Sequence, residues 1–131
     1  SKVDIMDAKQ HDYILSITSH IPHLVAYNIV NTSINTQEEK QSAIIKYSAG
    51  GLRDFTRIAA SNPIMWRDIF IQNKKNTLNE IEKFIANLED LKHAIENRDG
   101  KKLEKIFIKT KKIRKEIVKA GQDVNEPDFG R

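Results

Sequence analysis

The chain has 131 residues, 31% of them charged and 39% hydrophobic, with a formal net charge of +4 and no cysteine. That length suits one domain able to bury a real core, and the missing cysteines exclude disulfides and thiolate metal sites. No apolar run approaches the ~20 residues of a membrane span, and the opening "SKVDIMDAKQ" lacks the layout of a signal peptide, so a cytoplasmic location is expected.

Helical periodicity dominates the chain, and no alternating run bounded by turn residues suggests a strand. From Asp7 to about Thr32 the apolar positions Ile14, Leu15, Ile17, Ile21, Leu24, Val25, Ile29 and Val30 surround much of a helix. A helix apolar on most sides is buried, in its own core or against another chain. Pro22 lies inside it and should kink or split it. "NTSINTQEEK" reads as a polar connection, with Thr36 the N-cap of a short helix reaching Tyr47. Gly50-Gly51 should break the chain, and Leu52 to Ala60 should form a short helix carrying Arg53 and Arg57.

Ser61 or Asn62 as cap, with Pro63 in the first turn, begins a long central helix expected to run to about Asn97. Its stripe is Leu78, Ile81, Ile85, Leu88, Leu91 and Ile95. "NRDG" ends it, with Gly100 suited to the left-handed C-terminal position. Leu103, Ile106, Ile113 and Ile117 give the last helix a matching stripe, so the two should pair as an antiparallel hairpin. The expectation is an all-α domain of five to six helices over residues 1–120, followed by a loose tail over 121–131.

Charge is unevenly spread. Between Lys101 and Lys119 eight lysines and Arg114 face only Glu104 and Glu116. Such a helix can mark a stand-alone interaction or nucleic-acid-binding module. No aromatic platform accompanies the lysines, so a solvated helix face is the preferred reading and nucleic acid is not the expected partner.

Two stretches carry candidate chemistry. "HDYILSITSHIPH" holds three of the four histidines. His20 and His23 could share a helix face, either hydrogen-bonded near the kink or facing a polar pocket. A metal site built on His11, His20 and His23 would need further ligands, and the HExxH pattern is absent. "GGLRDFTRIAASNPIMWRDIF" crowds Arg53, Arg57 and Arg67 beside the sole tryptophan, Trp66. A guanidinium fork matches a carboxylate with two parallel hydrogen bonds, and Asp54 stands three residues before Arg57, where it could hold that side chain. No GxGxxG, P-loop or hydrolase elbow occurs.

Together these stretches and the following "QNKKNTLNEIEKF" resemble the C-terminal domain of prephenate dehydrogenases. The family pattern runs HD…SHLPH, then a glycine pair with F-x-D-x-T-R-I-A, then S-x-P-x-M-W-x-D-I, with Ile21 and Leu52 the conservative departures here. The resemblance covers about Val3 to Leu91. It implies a helical dimerisation and substrate-binding domain of an NAD(P)-dependent enzyme that oxidatively decarboxylates prephenate, or in relatives arogenate, on the route to tyrosine. It further implies that Arg57 grips a substrate carboxylate, that His23, Ser19 and Gly50 line the pocket, that Asp54 joins the ionic network around the arginine, and that Trp66 lies near pocket and interface. NAD or NADP would be bound mainly by a Rossmann domain that this sequence lacks, together with the histidine that acts on the ring hydroxyl. A homodimer that is inactive without that domain is therefore expected, with no membrane association and no metal.

Overall fold

The computed structural model describes residues 7–34, 43, 46 and 50–122. Every regular element among them is helical, as the periodicity requires. They fall into two compact units, one over Asp7–Glu80 and one from Ile81 onward.

The first unit opens with α1 (Ala8–Leu15), capped by the Asp7 carboxylate, which accepts from the Gln10 N–H at 2.8 Å. The helix does not simply kink at Pro22. Ser16–His20 form a π-helical turn, closed by the Ile21 N–H donating to the Ser16 carbonyl, and α2 (Ile21–Ile34) continues from it. The physical reason is local. Proline brings no N–H and its ring crowds the carbonyl one turn earlier, and a widened turn relieves that crowding. The Ser16 hydroxyl donates to the Tyr13 carbonyl and Thr18 Oγ1 to the Ile14 carbonyl, at 3.0 Å, so side chains take up carbonyls loosened nearby.

The expected helix from Thr36 to Tyr47 falls almost wholly outside the described residues. Gly50-Gly51 does not break the chain but starts α3 (Gly50–Phe55). Nor do Leu52 to Ala60 form one helix. Thr56 leaves helical geometry (φ −91°, ψ 4°) and its hydroxyl donates to the Leu52 carbonyl at 2.7 Å, after which Arg57–Ala60 form a 3₁₀ turn. A hydroxyl competing for a backbone carbonyl is a common way for threonine to weaken a helix. α2 packs on this turn, and the Tyr27 hydroxyl donates to the Ser61 carbonyl at 2.9 Å.

α4 (Pro63–Gln72) starts as its sequence requires, with Asn62 Oδ1 accepting from the N–H groups of Ile64 (2.9 Å) and Met65 (3.1 Å) and proline in the first turn. The single long helix expected to follow is interrupted. Asn73 takes φ −103°, ψ 37°, and α5 (Lys74–Glu96) begins beyond it.

In the second unit the end of α5 differs from expectation in one residue. Arg98, not Gly100, occupies the left-handed position, at φ 53°. The Asp99 N–H reaches the Ala94 carbonyl at 2.8 Å and the Arg98 N–H the Ile95 carbonyl at 3.1 Å. This is the Schellman pattern of a helix end. Gly100 instead opens α6 (Gly100–Gln122), with the Asp99 carboxylate accepting from the Lys102 N–H at 3.1 Å. Left-handed geometry costs a side chain about 1 kcal/mol that glycine avoids. Arg98→Gly should therefore raise the unfolding free energy by about 0.5–1 kcal/mol, read as a higher urea midpoint with unchanged slope. A lower midpoint would show that the arginine side chain contributes more than its backbone costs.

α6 returns beside α5 in the expected antiparallel sense. Lys102 Nζ meets Asp90 Oδ1 at 2.6 Å, and Asn87 and Ile117 line one open groove of about 610 Å³ between the helices. Both partners of that ion pair are about half exposed, so it adds little stability. α6 runs through Gly121 and Gln122, two residues into the expected tail; the rest of that tail lies outside the described residues.

What each unit buries is unexpected. The second unit fully buries Ala94, while Leu88, Ile95 and Ile117 of the stripes stay more than half exposed. The first unit buries Ala26 and Trp66, together with the polar Ser16, Ser19, His20, His23 and Thr77. The large aliphatic side chains that should make a core are largely outside it.

Candidate functional site

The buried polar residues of the first unit converge on one aromatic cluster. α4 presents Trp66, 2% exposed, with Phe70 one turn later at a ring separation of 5.5 Å. α2 lays the His23 imidazole flat on the indole, at 3.7 Å and an interplanar angle of 16°. The π turn places His20 nearly perpendicular to the same indole, at 6.0 Å and 82°. The two histidines are three residues apart on a continuous helical path, and the wider π turn and Pro22 between them let both rings reach one tryptophan.

Hydrogen bonds fix both imidazoles. His23 Nδ1 lies 2.8 Å from the Ser19 carbonyl. A carbonyl only accepts, so Nδ1 carries the proton and Nε2 is the ring nitrogen left for other chemistry. His20 is held in the opposite sense. Its Nδ1 lies 3.1 Å from Asn73 Nδ2, an atom that only donates, so Nδ1 is the acceptor. The other Asn73 amide hydrogen goes to the Asp12 carbonyl at 2.8 Å, and Asn73 Oδ1 accepts from Asn76 at 3.0 Å. The break between α4 and α5 is therefore made by a side chain whose amide joins α1, the π turn and α5.

Burial pushes the His20 pKa below its ordinary value of 6.5; the Asp12 carboxylate opposes this and His23 adds to it. The folded state thus holds its proton less readily than the unfolded chain. The resulting stability is complete above pH 6.5 and is lost as the pH falls through the lowered value. Two buried polar atoms, Trp66 Nε1 and Thr77 Oγ1, have no hydrogen-bond partner among the described residues. A buried donor without a partner costs about 1–3 kcal/mol, which is the condition in which a ligand acceptor would be welcome.

The other expected residues stand apart from this cluster. Arg57 opens the 3₁₀ turn and is exposed, as are Arg53 and Asp54 on α3. The helix stops at Phe55, and no ion pair joins Asp54 to Arg57 among the described residues. Arg67 pairs with its neighbour Asp68 at 2.9 Å on the surface, which removes it from the set of arginines open to an anion. At Gly50 an added Cβ would meet nothing within 4 Å, so its own unit sets no requirement for glycine there. Among the described residues no group of three His, Asp or Glu could hold a metal ion, and no helix is long and apolar enough to cross a membrane.

The family resemblance places Ser19, His23 and Trp66 in one set with Arg57, Gly50 and Asp54; in the structure the first three lie together and the other three stand apart. Sequence reasoning missed Asn73 and Phe70, and it left His20 without a partner. The available signal was an asparagine, a poor helix former that favours turns, in the middle of an otherwise helical "IQNKKN".

Comparison with known proteins agrees with these motifs. The family model described as "Prephenate dehydrogenase, dimerization domain" matches residues 7–109, which carries the likeness past Leu91 into α6. Cyclohexadienyl dehydrogenase of Zymomonas mobilis is 38% identical over 113 residues, 86% of this chain and 39% of that protein. Prephenate dehydrogenase of Bacillus subtilis is 35% identical over 109 residues, 83% of this chain and 29% of that protein. The crystal structure of A. aeolicus prephenate dehydrogenase with hydroxyphenyl propionate and NAD+ superposes with a TM-score of 0.81 at 42% identity, covering 88% of this chain and 40% of that one. The chain therefore spans well under half the length of these relatives. All three are dehydrogenases, and the alternative of a nucleic-acid-binding module on 101–119 gains no support from them.

Proposed function

The chain belongs to the prephenate dehydrogenase family, matching its dimerization domain, and from that premise we propose that it pairs with a second copy and contributes the substrate-binding half of an NAD(P)-dependent prephenate or arogenate dehydrogenase. The observation that carries this reading is the burial pattern. Among the described residues the two units bury only Ala26, Trp66 and Ala94 of their apolar side chains and leave Leu88, Ile95, Phe107, Ile113 and Ile117 to be covered by something else. Exposed apolar surface on that scale marks an interface, and a second identical chain is the simplest cover.

The reaction would be oxidative decarboxylation of prephenate to 4-hydroxyphenylpyruvate in the cytoplasm. The nicotinamide cofactor supplies the hydride acceptor. It would be held by a Rossmann domain, since the glycines here form no phosphate-cradling motif. This chain's residues would bind and orient. Arg57 offers its guanidinium fork to a substrate carboxylate, and Asp54 and Gly50 line the same approach. His23, its Nδ1 committed to Ser19, offers Nε2, and Trp66 offers an indole N–H that has no partner among the described residues.

Sedimentation of the chain at micromolar concentrations should give a homodimer, and calorimetry should show binding of hydroxyphenylpropionate. The chain should not reduce NAD with prephenate. A monomer throughout that range would remove the dimer, and turnover by this chain alone would overturn the division of labour.

A further inference from the structure

Asn73 has three polar commitments, and they leave its amide one orientation. The Asp12 carbonyl accepts only, so the atom facing it must be the NH₂. With the NH₂ so placed, Oδ1 faces Asn76 and accepts from its amide at 3.0 Å. With that orientation fixed, the second amide hydrogen points at His20 Nδ1, which can accept it only while that nitrogen is unprotonated. Turning the amide over to receive a proton from His20 would break the Asp12 bond, set oxygen against oxygen there, and require the Asn76 amide to turn as well. His20 is 8% exposed, so water does not substitute readily.

We propose that Asn73 is a positioning residue for the His20–Trp66–His23 cluster, and that its bond to His20 is a latch that holds while the imidazole is neutral and opens when Nδ1 takes a proton. Opening matters because of where Asn73 sits. It ends α4, which carries Trp66 and Phe70, and starts α5, and it is tied to the end of α1. Losing the bond frees the end of the helix that presents the indole to His23. The ionisable groups acting on His20 are Asp12 from α1, which favours the proton, and His23 from α2, which disfavours it. α4 and the break add Trp66 and Asn73, neither of which titrates in this range. Burial outweighs Asp12 and keeps the latch closed at neutral pH.

This latch rests on the reading of the cluster as part of a substrate site only for its effect on binding; its chemistry can be tested without a ligand. Two-bond ¹H–¹⁵N spectra of the labelled chain should show His20 as the Nε2–H tautomer, with a titration midpoint below 6.5. The fluorescence of Trp66, the only tryptophan, should fall through the same midpoint, because an imidazolium quenches a neighbouring indole. Asn73→Asp replaces a donor with a carboxylate that can accept from a protonated Nδ1, and should raise the midpoint by ~1 unit or more. A carboxylate at that place raises the midpoint by its charge alone, so the Nε2–H tautomer is the readout that a merely structural asparagine would not set. His20→Gln, which cannot titrate, should remove the part of the fluorescence change that follows the His20 midpoint, leaving only what the stacked His23 ring contributes.

Hydroxyphenylpropionate affinity should fall about tenfold per pH unit below the His20 midpoint, and that breakpoint should move upward in Asn73→Asp. Observing the Nδ1–H tautomer in the unsubstituted chain would overturn the latch, even if the aspartate variant fails to fold. So would a midpoint unmoved by Asn73→Asp. Binding that ignores the His20 midpoint would overturn its effect on the site. Absence of binding at every pH, with the tautomer and midpoint shift as described, would instead count against the substrate reading and leave the latch standing.

Discussion

Trp66→Ala is expected to lower the unfolding free energy by about 3–5 kcal/mol, the range for removing a large aromatic from a packed site. Trp66 touches His23 by stacking, His20 by its perpendicular approach and Phe70 on its own helix, and it is the only large apolar side chain fully buried among the described residues. Its removal leaves three rings without their common neighbour. Trp66→Phe separates size from polarity. It keeps most of the aromatic area and deletes an N–H that has no partner, so the loss of packing is offset by release of an unsatisfied donor, and a cost under about 2 kcal/mol is expected. Chemical denaturation at one fixed protein concentration is the measurement, because dimerisation would couple stability to concentration. An alanine cost below about 1 kcal/mol would mean that the cluster does not organise the unit.

The residues that sequence made legible are those whose roles are set within one or two turns. Asn62 and Pro63 announce a helix start through backbone chemistry alone, and the start lies where they place it. The interruption near Pro22 was legible for the same reason, although its form was not. A π turn depends on whether both flanking faces must continue into packing, here His20 and His23 on one indole. Asn73 was illegible for a different reason. Its partners are the Asp12 carbonyl, sixty-one positions away, and His20, fifty-three away. Nothing in the periodicity of the surrounding helix encodes them. Gly100 shows the opposite error. A glycine near a helix end favours the left-handed position, whereas here Arg98 takes it because the Schellman bonds from Arg98 and Asp99 fix the register.

The stripes on α5 and α6 are apolar faces, as their periodicity indicates, but they do not fully bury one another. Ala94 is buried and Leu91, Leu103 and Ile106 are half-buried, while Leu88, Ile95, Ile113 and Ile117 remain exposed. A periodic pattern specifies that a face needs cover and is silent on whose side chains provide it. The same holds for α2, whose apolar residues are mostly half-buried around a fully buried Ala26. In both units the surplus of apolar surface is what the dimeric reading explains.

Arg57→Ala is expected to raise the KM for prephenate at least ~tenfold in an enzyme carrying this domain, a change of ~1.4 kcal/mol. That lies at the low end for a charge-assisted hydrogen bond, and the low end is appropriate because Arg57 is exposed and its charge is screened by water. The side chain makes no ion pair or hydrogen bond among the described residues, so none has to be broken before a carboxylate is gripped. Arg57→Lys keeps the charge and loses the planar fork, and should recover only part of the affinity. Arg53 provides the control. It is also exposed and carries the same charge, but it lies on α3, before Thr56 turns the chain into the 3₁₀ segment. If placement and not charge density matters, Arg53→Ala should leave KM within about threefold of the original, a difference of ~0.6 kcal/mol. Raising the ionic strength should weaken binding in the original protein and much less in Arg57→Ala. Equal losses from the two arginines would mean that the basic segment attracts the substrate only through its field, and the assignment of a carboxylate grip to Arg57 would fall.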